Sequence, residues 1–263
     1  MDVPKRRNSG QVLLIAAFIM AFLLLSAELY IFEVGKIIYR IESNSLGDSI
    51  FAIERGSRRV VIGSLANISQ GGSNLTLATN LDRWGSFVWN QHLNVKSLLN
   101  FTGRDTPPYT SGLWIDWSRT DGIGVSGAFV SFSLNLSGMQ ATAQTEYYEN
   151  VTTSVNVVDG MYRKLEGEGM ELKKQVNVTC RILNEGEPAL AKNVTLFFED
   201  DGDLSTQNWI GADSPSITDY GNGTYFLSFV AETQTRNDPM LISAQVRDLR
   251  DIFVLANATC IEI

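Results

Sequence analysis

The first long feature along the chain is an apolar run. From Val12 to Phe32 the only charged side chain is Glu28, and about 21 helical residues at 1.5 Å each give roughly 31 Å, enough to cross a hydrocarbon core. Beyond it Ile31, Val34, Ile37, Ile38, Ile41, then Ile50, Ile53, Val60 and Val61 recur mostly at three- and four-residue spacings among Lys36, Arg40, Glu42, Glu54 and Arg58. That period predicts an amphipathic continuation of the membrane helix, loosened at Gly47 and Gly56. Residues 64–74 read as a loop. Leu77, Leu81, Trp84, Val88 and Leu93 then predict a second helix, capped by Asn74 or Thr76 and stopped by "GRDTPPYTSG" at 103–112.

After the prolines the period falls to two. Strands are expected at 113–117, 125–137 and 140–158, with turns at Asp121-Gly122 and Ser137-Gly138. In the middle strand Val130, Phe132, Leu134 and Leu136 share one face and Ser131, Ser133 and Asn135 the other, with Phe129 on the serine side. Residues 160–174 are polar and Gly-punctuated, a linker or a first short strand. A further series follows at 175–183, 193–200, 223–232, 239–248 and 252–263, which predicts a β-sandwich. The expected fold class is therefore α+β: a long N-terminal membrane helix with an antiparallel-sheet domain, followed by an all-β Ig-like sandwich. The divisions are a basic leader over 1–11, a transmembrane helix over 12–32, its amphipathic continuation over 33–63, an exported α+β domain over 64–160, and the sandwich over 161–263.

Composition sharpens the compartment. Of 263 residues 44% are apolar and 19% charged, with a net charge of −8. A chain this acidic lacks the basic stripe that nucleic acid requires. Asn-x-Ser/Thr occurs at Asn67, Asn74, Asn100, Asn135, Asn150, Asn177, Asn193, Asn222 and Asn257, nine of eighteen asparagines and every one after the apolar run. That is about three times the chance frequency, and it predicts a glycosylated extracytoplasmic face. Lys5, Arg6 and Arg7 before the span place the N-terminus in the cytoplasm and residues after about 33 outside the cell membrane. Glu28 is expected to snorkel to the headgroups. Cys180 and Cys260 are expected to form one disulfide in an oxidising compartment, the alternative being two separate buried thiols. Strand parity puts both cysteines inward and Asn177, Asn193 and Asn257 outward. A bridge would close a loop of about 80 residues, for about 4 kcal/mol in the chain-entropy picture.

A secretory signal would end in a small-residue cleavage site, whereas this run ends in Glu28-Leu29-Tyr30-Ile31-Phe32. The segment Lys5–Gly35, a short basic leader, a Gly and an apolar helix emerging as an amphipathic half, resembles type IV pilin-like proteins with class III signals, of the kind archaeal surface filaments use. The resemblance covers roughly residues 5–60. It implies cleavage between Gly10 and Gln11 and self-association through the N-terminal helix, or with other surface or filament proteins. Asn8 and Ser9 stand where the family usually has a cation beside the Gly, and Ile15 where it often has Glu. "DYGNGTYFLSF", Asp219 to Phe229, resembles the turn and strand of filamin-like and bacterial Ig-like domains. Dense sequons behind a short basic leader lean toward an archaeal source.

Little points to catalysis. His92 is the sole histidine, with no second His or nearby Cys to join it. Trp84, Trp89, Trp114 and Trp117 could form a carbohydrate platform but are expected to be core. "EDDGDLS" at 199–205 lacks the distal bidentate Glu of a Ca²⁺ loop and reads as a solvated turn. No cofactor and no enzymatic role is expected. The expected function is that of a single-span, membrane-anchored, N-glycosylated surface protein with a structural or adhesive role, the alternative being a pilin-like filament subunit.

Overall fold

The computed structural model describes residues 9–91, 96–118, 120–137, 142–167, 169, 172–199, 209–234, 237 and 239–263, with side chains in the first stretch described at 15, 17–34 and 46–90. One helix, α1 (Ser9–Ser69), runs through 61 residues, about 90 Å at 1.5 Å per residue. It passes through Gly47 and Gly56 without a break. Gly56 serves packing instead: a side chain there would run into the Trp84 ring. The helix extends past Gly63 into the expected loop and stops at Gly71, whose φ of +96° suits glycine and whose N–H donates to the Ile68 carbonyl. Helix α2 (Thr76–Gln91) folds back against it. Ser73, rather than Asn74 or Thr76, accepts a backbone N–H at its start, from Leu75.

The strands are β1 (Lys96–Gly103), β2 (Leu113–Asp116), β3 (Ile123–Ser137), β4 (Thr142–Lys164), β5 (Lys173–Asn184), β6 (Glu187–Pro188), β7 (Ala191–Glu199), β8 (Trp209–Gly211), β9 (Ser216–Asp219), β10 (Thr224–Glu232), β11 (Leu241–Asp248), β12 (Phe253–Thr259) and β13 (Ile261–Glu262). The larger sheet runs β1-β3-β4-β5-β10-β9, with β2 beside β3, β6 beside β5 and β13 parallel to β4; the smaller runs β12-β11-β7-β8. Apart from β13 every pairing is antiparallel.

Strand β4 organises the molecule. Val151, Thr153, Val155 and Val157 alternate on one face, all buried. Val151 belongs to a core shared with Leu65, Leu81, Val130 and Leu134 beneath the two helices. Val155 and Val157 belong to a second core shared with Val178, Leu227, Leu196 and Val254, where the smaller sheet covers β5 and β10. The helix pair and the smaller sheet thus lie side by side on the same face of one long sheet. Because residues directly opposite in a ladder share a face, the register places Asn100, Ser133 and Glu146 together on the other side, with Leu98, Asn135 and Gln144 next along. That side carries exposed and half-buried residues.

An α+β chain with an apolar N-terminal helix and a largely antiparallel β-region is what periodicity predicts. Seven of the expected strands lie within β2, β3, β4, β5, β7, β10 and β11 to within a few residues, and the eighth divides into β12 and β13 at Cys260. The division at 160/161 falls inside β4, which serves both cores. Strand β1 was not expected, since its residues sit in the helical run that precedes the prolines.

Candidate functional site: the projecting helix and the open sheet face

The two ends of α1 differ in their surroundings. Toward the C-terminus Leu46, Ile53, Val61, Leu65 and Ile68 are buried against α2 and the sheet. The contact is close because small residues line it: the Ser57 hydroxyl receives the Trp84 indole N–H at 2.9 Å and pairs with the Tyr147 hydroxyl at 2.9 Å, while Ser64 receives an Asn80 amide N–H. Burial, only partly offset by the bond to Ser57, pushes the Tyr147 phenol up to about 12. Toward the N-terminus Ala17–Val34 is 18 residues with a mean hydropathy of 1.9, and none of it is buried. Phe18, Leu24, Tyr30 and Ile31 each expose two thirds or more of their surface, an apolar patch far larger than a soluble monomer tolerates. The Ser26 hydroxyl donates to the Leu23 carbonyl, so this polar group is satisfied within the helix. This helix is long and apolar enough to span a membrane.

Gly10 and Gln11 lie in the first turn of α1, and Lys5, Arg6 and Arg7 lie outside the described residues. The nine sequon asparagines all reach the surface: seven are exposed, and Asn177 and Asn257 are half-buried. Asn100, Asn135, Asn150 and Asn177 share the open face of the larger sheet. Asn222 sits in the β9–β10 hairpin, where Asp219 Oδ1 and Asn222 Oδ1 accept the N–H groups of Gly221 and Thr224. Asn257 is the most enclosed. Its Nδ2 donates to the Trp117 carbonyl, and its Oδ1 is buried without a hydrogen-bond partner among the described residues.

The expected Cys180–Cys260 disulfide is not formed. Both are free thiols buried in the core between the two sheets. Cys180 lies opposite Val157 and Tyr225 in the ladder, whereas Cys260 packs over Gly160, whose bare Cα leaves the space. Each thiol is pushed up to about 12 by burial. Inward parity was read correctly; sharing a core does not bring two sulfurs into bonding geometry.

Of the four tryptophans considered for a carbohydrate platform, Trp84 fills the gap between the helices, and Trp117 donates to Ser126 Oγ with its ring edge-on to Phe253. Trp117 also lines a cavity of about 480 Å³ with Trp209, Glu199, Gln245 and Asn257. Trp89 is exposed beside β1, and Trp114 meets Tyr109 on the open face. His92 and residues 200–205 of the acidic turn lie outside the described residues; Glu199 is buried. Among the described residues no three His, Cys, Asp or Glu side chains are placed to hold a metal ion. No protein-family model matches the chain, and no curated protein or solved structure matches it either.

One constellation escaped sequence reasoning. In the β11–β12 turn Asp248 is fully buried, accepting from the Arg250 and Ile252 N–H groups, from Thr153 Oγ1 and from Arg250 Nε. The remaining Arg250 nitrogens reach Glu185 at 2.7 Å, the Thr152 carbonyl and Thr153 Oγ1. Glu185 also faces Arg58 of α1, which pairs with Glu149 at 2.9 Å. These groups bridge α1, β4, the β5–β6 turn and the smaller sheet where the two cores adjoin. Their sequence signal, an acid and an arginine two apart in a turn, is too common to single out.

Proposed function

We propose that this chain is a single-span, membrane-anchored, N-glycosylated surface protein with a structural or adhesive role. The observation that carries the reading is the exposed apolar stretch Ala17–Val34 on a helix whose opposite end is packed into the fold. In this reading Lys5, Arg6 and Arg7 hold the N-terminus in the cytoplasm, and α1 lifts the β-region off the outer leaflet. The sequons, all beyond the membrane helix and all at the surface, support an extracellular address. The facing sheets over the Cys180 core, together with the Asp219–Phe229 hairpin, support an Ig-like tip. The role is mechanical and calls for no cofactor. Its partners are the membrane and other surface proteins.

A second reading is favoured by the unbroken course of α1. A helix that runs unbroken over Ser9–Ser69, bare over Ala17–Val34 and packed against α2 and an antiparallel sheet at Leu46, Ile53, Val61, Leu65 and Ile68, is suited to assembly as a pilin-like filament subunit once cut between Gly10 and Gln11. Intact-mass measurement and N-terminal sequencing of membrane-extracted protein separate the two readings. A chain beginning at Gln11 supports the filament subunit, and one retaining Lys5–Arg7 supports the uncleaved anchor and excludes pilin-type processing.

A further inference from the structure

The open face of the larger sheet carries an aromatic group that neither core uses. Tyr109 packs edge-on to Trp114 at 5.8 Å and to Phe129 at 5.6 Å, and Phe129 packs on Tyr148 at 5.8 Å. The Arg104 guanidinium lies 4.7 Å from the Phe129 ring centre, and Tyr148 is 70% exposed. Gly127 lies beneath the rings: a methyl group there would be in ordinary contact with Tyr109 at 3.6 Å and Trp114 at 3.7 Å. Asn150 stands in the middle of this group. It is directly opposite Phe129 in the ladder and two residues from Tyr148 on the same face, and it opens the sequon Asn150-Val151-Thr152. The Tyr109 hydroxyl donates to Asn150 Oδ1 at 2.9 Å. That bond is taken by the carbonyl end of the amide and leaves Nδ2, the atom a glycan is attached to, outside it.

We propose that Asn150 is a glycosylation site whose first sugars lie on this platform, the apolar face of the saccharide against Tyr148 and Tyr109 and its hydroxyls toward Arg104. Exposed aromatic surface on a sheet needs a cover, and a polar ligand with one apolar face, tethered at the platform's centre, supplies it without a partner protein. An aromatic ring offers a flat apolar surface, and a guanidinium offers several N–H donors beside it. The proposal rests on the exported, glycosylated reading of the chain. Asn257, beside Trp117, donates through its Nδ2 to a backbone carbonyl, whereas Asn150 accepts through Oδ1.

The test uses the full chain, made in cells with an N-glycosylating secretory route. Glycopeptide mass spectrometry reads occupancy, and thermal unfolding compares the wild type with Thr152→Val, which removes the sequon and spares Asn150, in both Tyr148 and Tyr148→Ala backgrounds. Occupied Asn150 is expected, with Thr152→Val lowering Tm by about 2–4 °C in the wild type and by much less in Tyr148→Ala. An empty Asn150 among other occupied sequons overturns the proposal. So does an occupied Asn150 whose loss changes Tm equally in both backgrounds. Sugar at none of the nine sequons overturns the glycosylated-exterior reading itself, and the platform proposal with it.

Discussion

At the scale of single residues, burial decides what the side chains can do. Cys180 and Cys260 are neutral thiols pushed up from 9.0 to about 12 by burial. Below pH 9 neither the folded nor the unfolded chain ionises them, and their contribution to stability is complete. As pH climbs from 9 toward 12 the unfolded chain ionises first, so the fold loses stability across that window. A thiol assay without reductant is expected to find no reactive cysteine at neutral pH in the native protein and two after denaturation. Two glycines of α1 make opposite predictions. At Gly56 a methyl group meets the Trp84 ring, which is held by its bond to Ser57, so Gly56→Ala is expected to lower stability by about 1 kcal/mol or more. At Gly63 nothing lies within 4 Å of the added atom, so Gly63→Ala is expected to raise it by about 0.5–1 kcal/mol. Urea unfolding of the two variants checks both signs.

At the scale of elements, what was legible followed from period. The three- and four-residue recurrence of Leu77, Leu81, Trp84 and Val88 found α2, and the alternation of Val130, Phe132, Leu134 and Leu136 found β3, because each element buries one face only. Strand β1 escaped because Leu98 and Leu99 sit in a run that helical spacing also accommodates, and only pairing with β3 makes it a strand. The continuation of α1 over 33–63 was legible, but the loosening expected at Gly56 is not there, because a glycine in sequence does not disclose that a tryptophan will need its space. The Asp248–Arg250 constellation escaped too: Asp248 and Arg250 are two apart in a common kind of turn, and Glu185, Glu149 and Arg58 are far from them in sequence and meet them only through the topology. Arg250 reaches from the smaller sheet to β4 and to the β5–β6 turn, and it neutralises a carboxylate with no exposed surface. Arg250→Ala leaves Asp248 buried without its cation and is expected to cost about 3 kcal/mol, read as a lower midpoint in chemical unfolding. Lys192→Ala, which breaks an exposed pair with Asp251, is expected to cost under about 1 kcal/mol.

At the scale of the whole molecule, one long sheet carries two covers, a helix pair and a smaller sheet, on the same side, and its other side faces outward. The helix that contributes to the first cover continues as a bare apolar rod. Water is a poor solvent for such a rod, since 15 of the 18 residues of Ala17–Val34 are apolar and none is buried. Among the described side chains the first core residue is Leu46 and none of Ala17–Val34 is buried, so the fold does not depend on that stretch. Removing residues 1–35 is therefore expected to leave a folded β-region, and the membrane segment carries the central claim alone. The direct measurement is alkaline carbonate extraction of membranes from cells expressing the full chain beside the chain lacking residues 1–35. Retention of the full chain in the membrane pellet, with the shortened chain released as soluble folded protein, is the predicted result; release of the full chain into the supernatant contradicts it.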